Sequence, residues 1–106
     1  MPYIIVHCWY PDHLADKVAK KYLELMGKYQ SDESLVKTLV PVAVTATKNG
    51  IEAMTVEEVE KEKLGDALEQ EVRFMTEYRK IEGFHYEIRI WSNLEEGMQN
   101  LGLGKQ

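Results

Sequence analysis

The sequence predicts a single α+β domain over residues 1 to 106, and three observations support this class. Segments with the pattern of β-strands lie at residues 3 to 10 and 84 to 91. Two segments with apolar residues at helical spacing lie between these two strands along the chain. Between the helical segments, Asn49 and Gly50 join two runs rich in β-branched residues, which is typical of a hairpin. The predicted order is therefore strand, helix, strand, strand, helix, strand.

The first strand and the helix after it both show a clear pattern. In the strand, apolar or aromatic residues occur at odd and even positions alike, so both of its faces should be covered. Pro11 ends the strand, and Asp12 is placed to cap the helix that follows. The apolar stripe of this helix consists of Leu14, Val18, Tyr22, Leu25, Met26 and Tyr29.

The central hairpin begins at residue 35. Its turn at Asn49 and Gly50 is predicted to be of type I′, because both residues tolerate a positive φ. Pro41 lies inside the first strand of the hairpin, and proline cannot donate to a ladder, so this strand should lie at a sheet edge or contain a bulge. The second strand should end near Val59, although the Thr-Val-Glu-Glu run before that residue also resembles a capping box.

The second half of the chain predicts a helix, a strand and a short helix. The helix spans residues 61 to 81, Gly83 provides its stop, and Ser92 or Asn93 caps the terminal helix. The stripe of the long helix consists of Leu64, Leu68, Val72, Met75 and Tyr78. In the strand, Phe84, Tyr86, Ile88 and Ile90 alternate with His85, Glu87, Arg89 and Trp91. The expected core comprises Val6, Val18, Tyr22, Leu25, Leu68, Val72, Met75, Phe84, Tyr86 and Ile88.

This order of elements is the split βαβ, ferredoxin-like arrangement, an antiparallel sheet with two helices on one face, here with a short C-terminal helix added. In element order, length and two-sided first strand, the chain resembles the dimeric α+β barrel superfamily. That superfamily includes cofactor-independent monooxygenases, small-molecule isomerases and haem-binding enzymes. The resemblance implies a homodimer, and it assigns no functional residues to this chain.

Composition excludes several classes of function. The formal net charge of -5 opposes both nucleic acid and anionic lipid, so we expect no nucleic-acid partner and no membrane partner. Cys8 is the only cysteine, which precludes an intrachain disulfide and fits a reducing, cytoplasmic location. The first residues lack the basic region of a signal peptide, and no apolar run approaches the length of about 18 residues that a membrane span needs.

The candidate ligand-binding residues lie on the sheet face away from the helices. If the first and last strands are neighbours, this face holds His7, Trp9, His85, Glu87, Arg89 and Trp91, together with Tyr3 and Ile5. One interpretation is a small-molecule pocket in which a histidine carries a proton, Arg89 holds an anionic group and the tryptophans form apolar walls. The alternative is an interface with a second copy, in which Glu87 and Arg89 pair and the aromatic rings fill space.

Other polar residues favour structural explanations. A metal site from His7, Cys8, His85 and Glu87 is disfavoured, because consecutive residues of a strand point to opposite faces; we expect no metal and no cofactor. We expect Cys8 to be a small interior residue rather than a nucleophile. The acidic run of Glu57, Glu58, Glu60 and Glu62 is expected to be the solvated start of a helix.

Three functions remain open from the sequence. The first is a homodimeric protein that binds a small molecule at the open sheet face. The second is a cofactor-independent enzyme of the monooxygenase or isomerase type. The third is a purely structural interaction module. Fold analogy does not choose among them, because one fold carries many unrelated activities.

Overall fold

The computed structural model describes residues 1 to 29 and 32 to 102. Over these residues the protein is an α+β structure with a four-stranded antiparallel sheet and three α-helices. In chain order the elements are β1 (Tyr3–Tyr10), α1 (Ala15–Lys28), β2 (Val36–Thr47), β3 (Gly50–Val59), α2 (Leu64–Thr76), β4 (His85–Trp91) and α3 (Leu94–Asn100). Short 3-10 turns at Asp12–Leu14, Lys61–Lys63 and Glu77–Lys80 flank the two long helices.

The strands are arranged in the order β2-β3-β1-β4, and every neighbouring pair is antiparallel. The prediction that the first and last strands are neighbours is confirmed. Val6 lies opposite Thr55 on one side and Ile88 on the other, whereas His7 lies opposite Met54 and Glu87. Even-numbered residues of β1 therefore share the helix face of the sheet, and odd-numbered residues share the open face.

The central hairpin confirms one prediction and corrects another. β2 is an edge strand, and its register shifts between Thr38 and Val40 and again between Val40 and Ala43, on either side of the region that holds Pro41. The turn is not of type I′: Thr47 pairs with Gly50, so Lys48 and Asn49 are the two central residues, and neither has a positive φ. Gly50, at the start of β3, has a positive φ of 130°. The Thr47 hydroxyl oxygen accepts a hydrogen bond of 3.0 Å from the backbone N–H of Asn49.

Gly50 is required by space as well as by its backbone angle. A Cβ at this position would lie 2.5 Å from the carbonyl oxygen of Tyr10, at the end of β1. Backbone atoms do not move aside as a flexible side chain does, so any other residue would push the hairpin away from β1. The glycine thus fixes how closely the far end of the hairpin approaches β1.

The core lies between the helix face and both long helices. Its buried members are Ile4, Val6, Val18, Leu25, Val36, Val59, Ala67, Met75, Tyr78 and Ile81. Leu68, Phe84, Tyr86 and Ile88 pack against this core while partly buried, as expected of core members. The prediction is wrong for two residues of the apolar stripes, because Val72 is 45% exposed and Met26 is 54% exposed. In α2, Leu68 and Met75 are two turns apart, so either position 71 or position 72 can complete the stripe, and the helix turns Val72 outward.

The helix caps agree only in part with those predicted from the sequence. Asp12 does not cap α1, because the chain passes through a 3-10 turn that starts at Pro11 without a side-chain cap. Gly83 has a positive φ of 96°, as expected for a helix stop. Asn93 caps α3 through a capping box with Glu96, with bonds of 2.7 and 3.0 Å. Among the described residues, no helix is both long and apolar enough to cross a membrane.

Candidate functional site

A cavity of about 490 Å³ lies on the helix face of the sheet, and we call it the helix-side cavity. The strand residues that line it include Val6, Cys8, Ala53 and Thr55. The helical layer contributes larger side chains, among them Tyr22, Phe74, Met75 and Tyr78. A volume of this size lies within the usual range of small-molecule pockets, about 300 to 1,000 Å³.

The cavity results from a mismatch in side-chain size. Cys8 and Ala53 are opposite each other across β1 and β3, and Thr55 is next to them on the same face, so the middle of the sheet carries little volume. The helical side carries aromatic rings that contact one another. The ring centroids of Phe74 and Tyr78 are 6.2 Å apart and those of Tyr78 and Phe84 are 4.6 Å apart. Packed rings are stiff, so they hold the helices away from the small strand residues.

The cavity opens to solvent between α1 and the edge strand β2. On this rim Leu23 is 71% exposed and Val44 is 63% exposed, and Val42 is also exposed. These apolar side chains remain exposed because the helices cover the start of β2, where Val36 is buried, but not its middle. A ligand can therefore enter from this side without moving the core.

A second cavity of about 520 Å³ adjoins the first, and Tyr22, Pro41, Thr55 and Phe74 line both of them. Its polar residues include Glu57 of β3 and Glu71 of α2. Glu71 occupies the stripe position between Leu68 and Met75 where an apolar residue was expected. A carboxyl at such a position costs stability. Residues that cost stability are expected mainly at functional sites, so this pair of carboxyls is a candidate for function.

The two carboxyls cannot both be ionised cheaply. Burial, together with the negative charge of Glu57, raises the pKa of Glu71 to about 8. Glu57 Oε1 is buried and has no hydrogen-bond donor among the described residues. A protonated Glu71 can donate to Glu57, so at neutral pH the pair shares one proton. Thr55 Oγ1 is buried beside them and also has no partner in the described part of the chain.

Three ionisable groups of the helix-side cavity, Cys8, Tyr10 and Tyr78, have a raised pKa. Burial raises the pKa of the Cys8 thiol to about 11, against a smaller opposite effect of a backbone hydrogen bond from Ala53. Cys8 is therefore a thiol at neutral pH and a poor nucleophile, in agreement with the expectation from sequence. Burial also raises the pKa of the phenols of Tyr10 and Tyr78. The first cavity thus offers apolar surface and neutral hydroxyl and thiol groups.

The six residues that we predicted from the sequence to bind a ligand lie on the same, open face of the sheet. The rings of His7 and Trp9 stack at 5.9 Å, and Trp9 Nε1 donates a hydrogen bond of 2.9 Å to Glu52 Oε2. The register places His7 beside Glu87 and Trp9 beside His85. None of the six proposed residues lines either of the two cavities.

The pairing of Glu87 with Arg89 at an interface between two copies stays a prediction. In the part of the chain that the structure describes, Arg89 makes no ion pair. Its guanidinium carbon lies 4.8 Å from the centroid of the Trp91 ring, a cation–π contact. Glu87 is exposed and remains beside His7 in the register.

Sequence reasoning missed Glu57 and Glu71. The expectation that Glu57 belongs to a solvated helix start is wrong, because Glu57 lies in β3 and shares the helix face with Thr55. The signal was its parity in the strand, combined with the spacing of Glu71 from Leu68 and Met75. Only the structure shows that the two elements bring these carboxyls together.

Within residues 1 to 29 and 32 to 102, no group of three or more His, Cys, Asp or Glu side chains is placed to hold a metal ion. His7 and Cys8 lie on opposite faces of the sheet, as expected for consecutive residues of a strand. The carboxyl pair of Glu57 and Glu71 remains as the main group of ionisable side chains near the cavities.

No protein-family model and no curated protein matches the chain. Among solved structures, the de novo designed protein Foldit4 is similar, with 15% sequence identity and a TM-score of 0.54. The match covers 87% of this chain and 97% of the designed one. At this identity the similarity concerns the fold alone and carries no information about function.

The carboxyl pair predicts an unusual dependence of stability on pH. Folding raises the pKa of Glu71 from 4.5 to about 8, so the folded state binds the proton more tightly than the unfolded state. This contribution to the free energy of unfolding is fully present below pH 4.5 and is lost as the pH rises to about 8. Glu71→Gln keeps a neutral donor at all pH values. It should therefore be more stable than the wild type at pH 8.5 by on the order of 2 kcal/mol, and similar to it at pH 4.5.

Urea unfolding at the two pH values measures this difference. Glu69→Gln is the matched control, since Glu69 lies on the same helix with its side chain 71% exposed. The control should follow the wild type. Equal pH dependence in the wild type and in Glu71→Gln would show that Glu71 is not held protonated.

Proposed function

We propose that the protein binds a small, mainly apolar molecule in the helix-side cavity. The observation that carries this proposal is the cavity of about 490 Å³ inside the layer where a small domain normally has its core. A domain of 106 residues is marginal in core size, so unfilled apolar volume is costly to retain. An engineered apolar cavity of about 150 Å³ already binds benzene, and this one has room for a larger ligand.

The lining suits such a ligand. Apolar side chains cover most of the cavity, while the lining residues Tyr22 and Tyr78 carry hydroxyl groups. Apolar walls supply affinity through burial, and a few polar groups orient the ligand. The entrance beside Leu23 and Val44 is itself apolar, which favours ligands with an apolar body.

A proton-transfer enzyme is the second candidate function. Its support is Glu71, whose pKa of about 8 is close to the pH at which a general acid or base works best. A ligand held at the shared wall of the two cavities would lie beside this carboxyl. Of the enzyme types that the sequence left open, this observation favours an isomerase over a monooxygenase, since an isomerase needs only a group that accepts and returns a proton.

We also infer that the architecture is ferredoxin-like and that two copies pair through their open faces, as in the dimeric α+β barrel superfamily that the chain resembles. The alternation of elements along the chain and the central position of β1 and β3 support the fold. A cytoplasmic location belongs to the same proposal, supported by the single Cys8, which cannot form an intrachain disulfide.

Several features of the open face fit a second copy. Four strands of about eight residues span roughly 19 by 26 Å, or on the order of 500 Å² before side-chain relief is counted. The face carries acids such as Glu52 and Glu87 beside Arg89, so two copies can be complementary in charge. Leu94 and Leu101 of the terminal segment are 80% and 74% exposed. Their burial would bring the contact towards the roughly 800 Å² per partner typical of specific interfaces.

Filling the cavity should abolish binding. Ala53 lines the middle of the cavity, so the added carbons of Ala53→Leu occupy ligand volume without introducing charge. The neutral fluorophore N-phenyl-1-naphthylamine brightens in apolar surroundings and serves as the probe. We expect the wild type to bind it, and Ala53→Leu to bind it at least about fivefold more weakly.

Ala43→Leu is the matched control, because Ala43 is exposed in β2 and lies opposite Met54 on the open face. The control should bind the probe as the wild type does. Equal fluorescence from the wild type and Ala53→Leu, or none from the wild type, would contradict ligand binding in this cavity.

The dimer is tested by placing a charge in the open face. Trp9→Glu should convert a dimer to a monomer in sedimentation velocity at micromolar concentration, because a buried unpaired carboxylate opposes association. Leu23→Glu is the control on the other side of the molecule, where Leu23 is 71% exposed, and it should remain dimeric. A wild-type protein that sediments as a monomer would refute this pairing.

A further inference from the structure

Three oxygen-bearing side chains meet where the two cavities join. Thr55 lines both cavities, and Glu57 and Glu71 line the second. Thr55 Oγ1 and Glu57 Oε1 are buried without a hydrogen-bond partner among the described residues. Buried polar atoms in native proteins nearly always have partners. The residues Thr55 and Glu57 line the cavities through other atoms, so a rotation of either side chain into the cavity would let a ligand supply the missing partner.

The walls around these oxygens are aromatic. Tyr22 and Phe74 line both cavities, so a group at the junction lies among their rings as well as among the carboxyls. Ring faces carry negative electrostatic potential and attract cations. Acidic oxygens and aromatic rings together favour a positively charged ligand group, whereas the first cavity favours an apolar one.

We propose that the ligand is an amphipathic primary amine, with its apolar body in the helix-side cavity and its ammonium group held by Glu57, Glu71 and Thr55. This assignment rests on the proposed function and specifies its ligand class. A primary ammonium has three N–H donors, which match one oxygen from each of the three side chains. An alcohol or a carboxylate offers at most one donor and cannot satisfy all three.

The exchange of charge at this site is balanced. Without ligand, the carboxyl pair holds one proton and one negative charge at neutral pH. When an ammonium binds, the shared proton leaves and both carboxylates are ionised, so the site again has one net negative charge. The charge buried is thus the same before and after binding, which keeps the desolvation cost low. Binding therefore releases a proton to solvent.

Other charged and titratable groups around Glu71 are Tyr22, Tyr29, Glu33 and Arg73, which line the second cavity with it. Arg73 is the positive charge among them, and its side chain is 61% exposed, with Nη2 3.8 Å from Glu69 Oε1. The guanidinium charge is therefore screened by solvent and does not replace the ligand's ammonium.

Calorimetry with three matched indoles tests the assignment. Tryptamine, tryptophol and indole-3-acetate have the same indole ring and carry an ammonium, a hydroxyl and a carboxylate, respectively. We expect tryptamine to bind the wild-type protein about tenfold more tightly than tryptophol, and indole-3-acetate to bind most weakly. In buffers of different ionisation enthalpy at pH 7, tryptamine should release about one proton and tryptophol none.

Two variants separate the role of the carboxyl from general damage. Glu71→Gln should bind tryptophol as the wild type does, but lose the preference for tryptamine and the proton release. Thr55→Val should weaken tryptamine a few-fold with proton release retained. Glu69→Gln should match the wild type in every measurement.

Each contrary outcome has a distinct meaning. Equal affinity for tryptamine and tryptophol without proton release would overturn the amine assignment and leave cavity binding intact. So would a preference for indole-3-acetate, or failure of all three indoles while N-phenyl-1-naphthylamine still binds. Failure of the indoles and of that neutral probe would overturn the proposed function, and the amine assignment with it.

Discussion

The architecture depends on one mismatch, between a sheet of four strands and a helical layer that leaves the middle of the edge strand β2 uncovered. The buried core lies under the helices, whereas Val42 and Val44 of the edge strand remain exposed on the helix face. In the middle of the sheet, Cys8 and Ala53 are too small to fill the space below the rings of α1 and α2. Protein interiors are normally close-packed, so the unfilled space between the sheet and the helices departs from an ordinary core.

The same mismatch explains the chemistry of the carboxyl pair. Glu71 replaces an apolar residue on the inner stripe of α2, and it lies beside Glu57 in the wall of the second cavity. Low polarity around the pair raises the pKa of Glu71 and keeps a proton between two acids. A tightly filled core would exclude these carboxyls, and a fully open cleft would leave them solvated and ionised. Their behaviour requires a partly covered space of the kind that the short helical layer leaves.

The open face has a different character. Its side chains contact one another through ring stacking, the Trp9–Glu52 hydrogen bond and the contact of Arg89 with Trp91. These contacts order the side chains of the open face, and neither of the two cavities described above lies among them. A flat, ordered, mixed surface suits association with another surface, whereas a concave one suits a small molecule. We therefore propose separate tasks for the two faces of the sheet.

Much of this fold could be predicted from the sequence, because period-two alternation fixes which residues of a strand share a face. The set of residues on the open face follows from that rule and is confirmed. The edge position of the strand that holds Pro41 follows instead from the missing N–H of proline, and it is also confirmed. The choice between positions 71 and 72 of α2 was wrong, since hydrophobicity favoured Val72 and the helix turns Glu71 inward. The cavity itself could not be predicted, because empty volume depends on the distance between packed layers and no local pattern encodes it.

The central claim is that open volume exists between Ala53 and Phe74, and crystals under xenon pressure test it most directly. Apolar cavities take up xenon without other changes. The account predicts a xenon atom within about 4 Å of both side chains. The rings of Tyr78 and Phe84 should still be stacked. A crystal structure in which Phe74 and Leu23 pack directly on Ala53 and Val44, with no xenon between them, would contradict it.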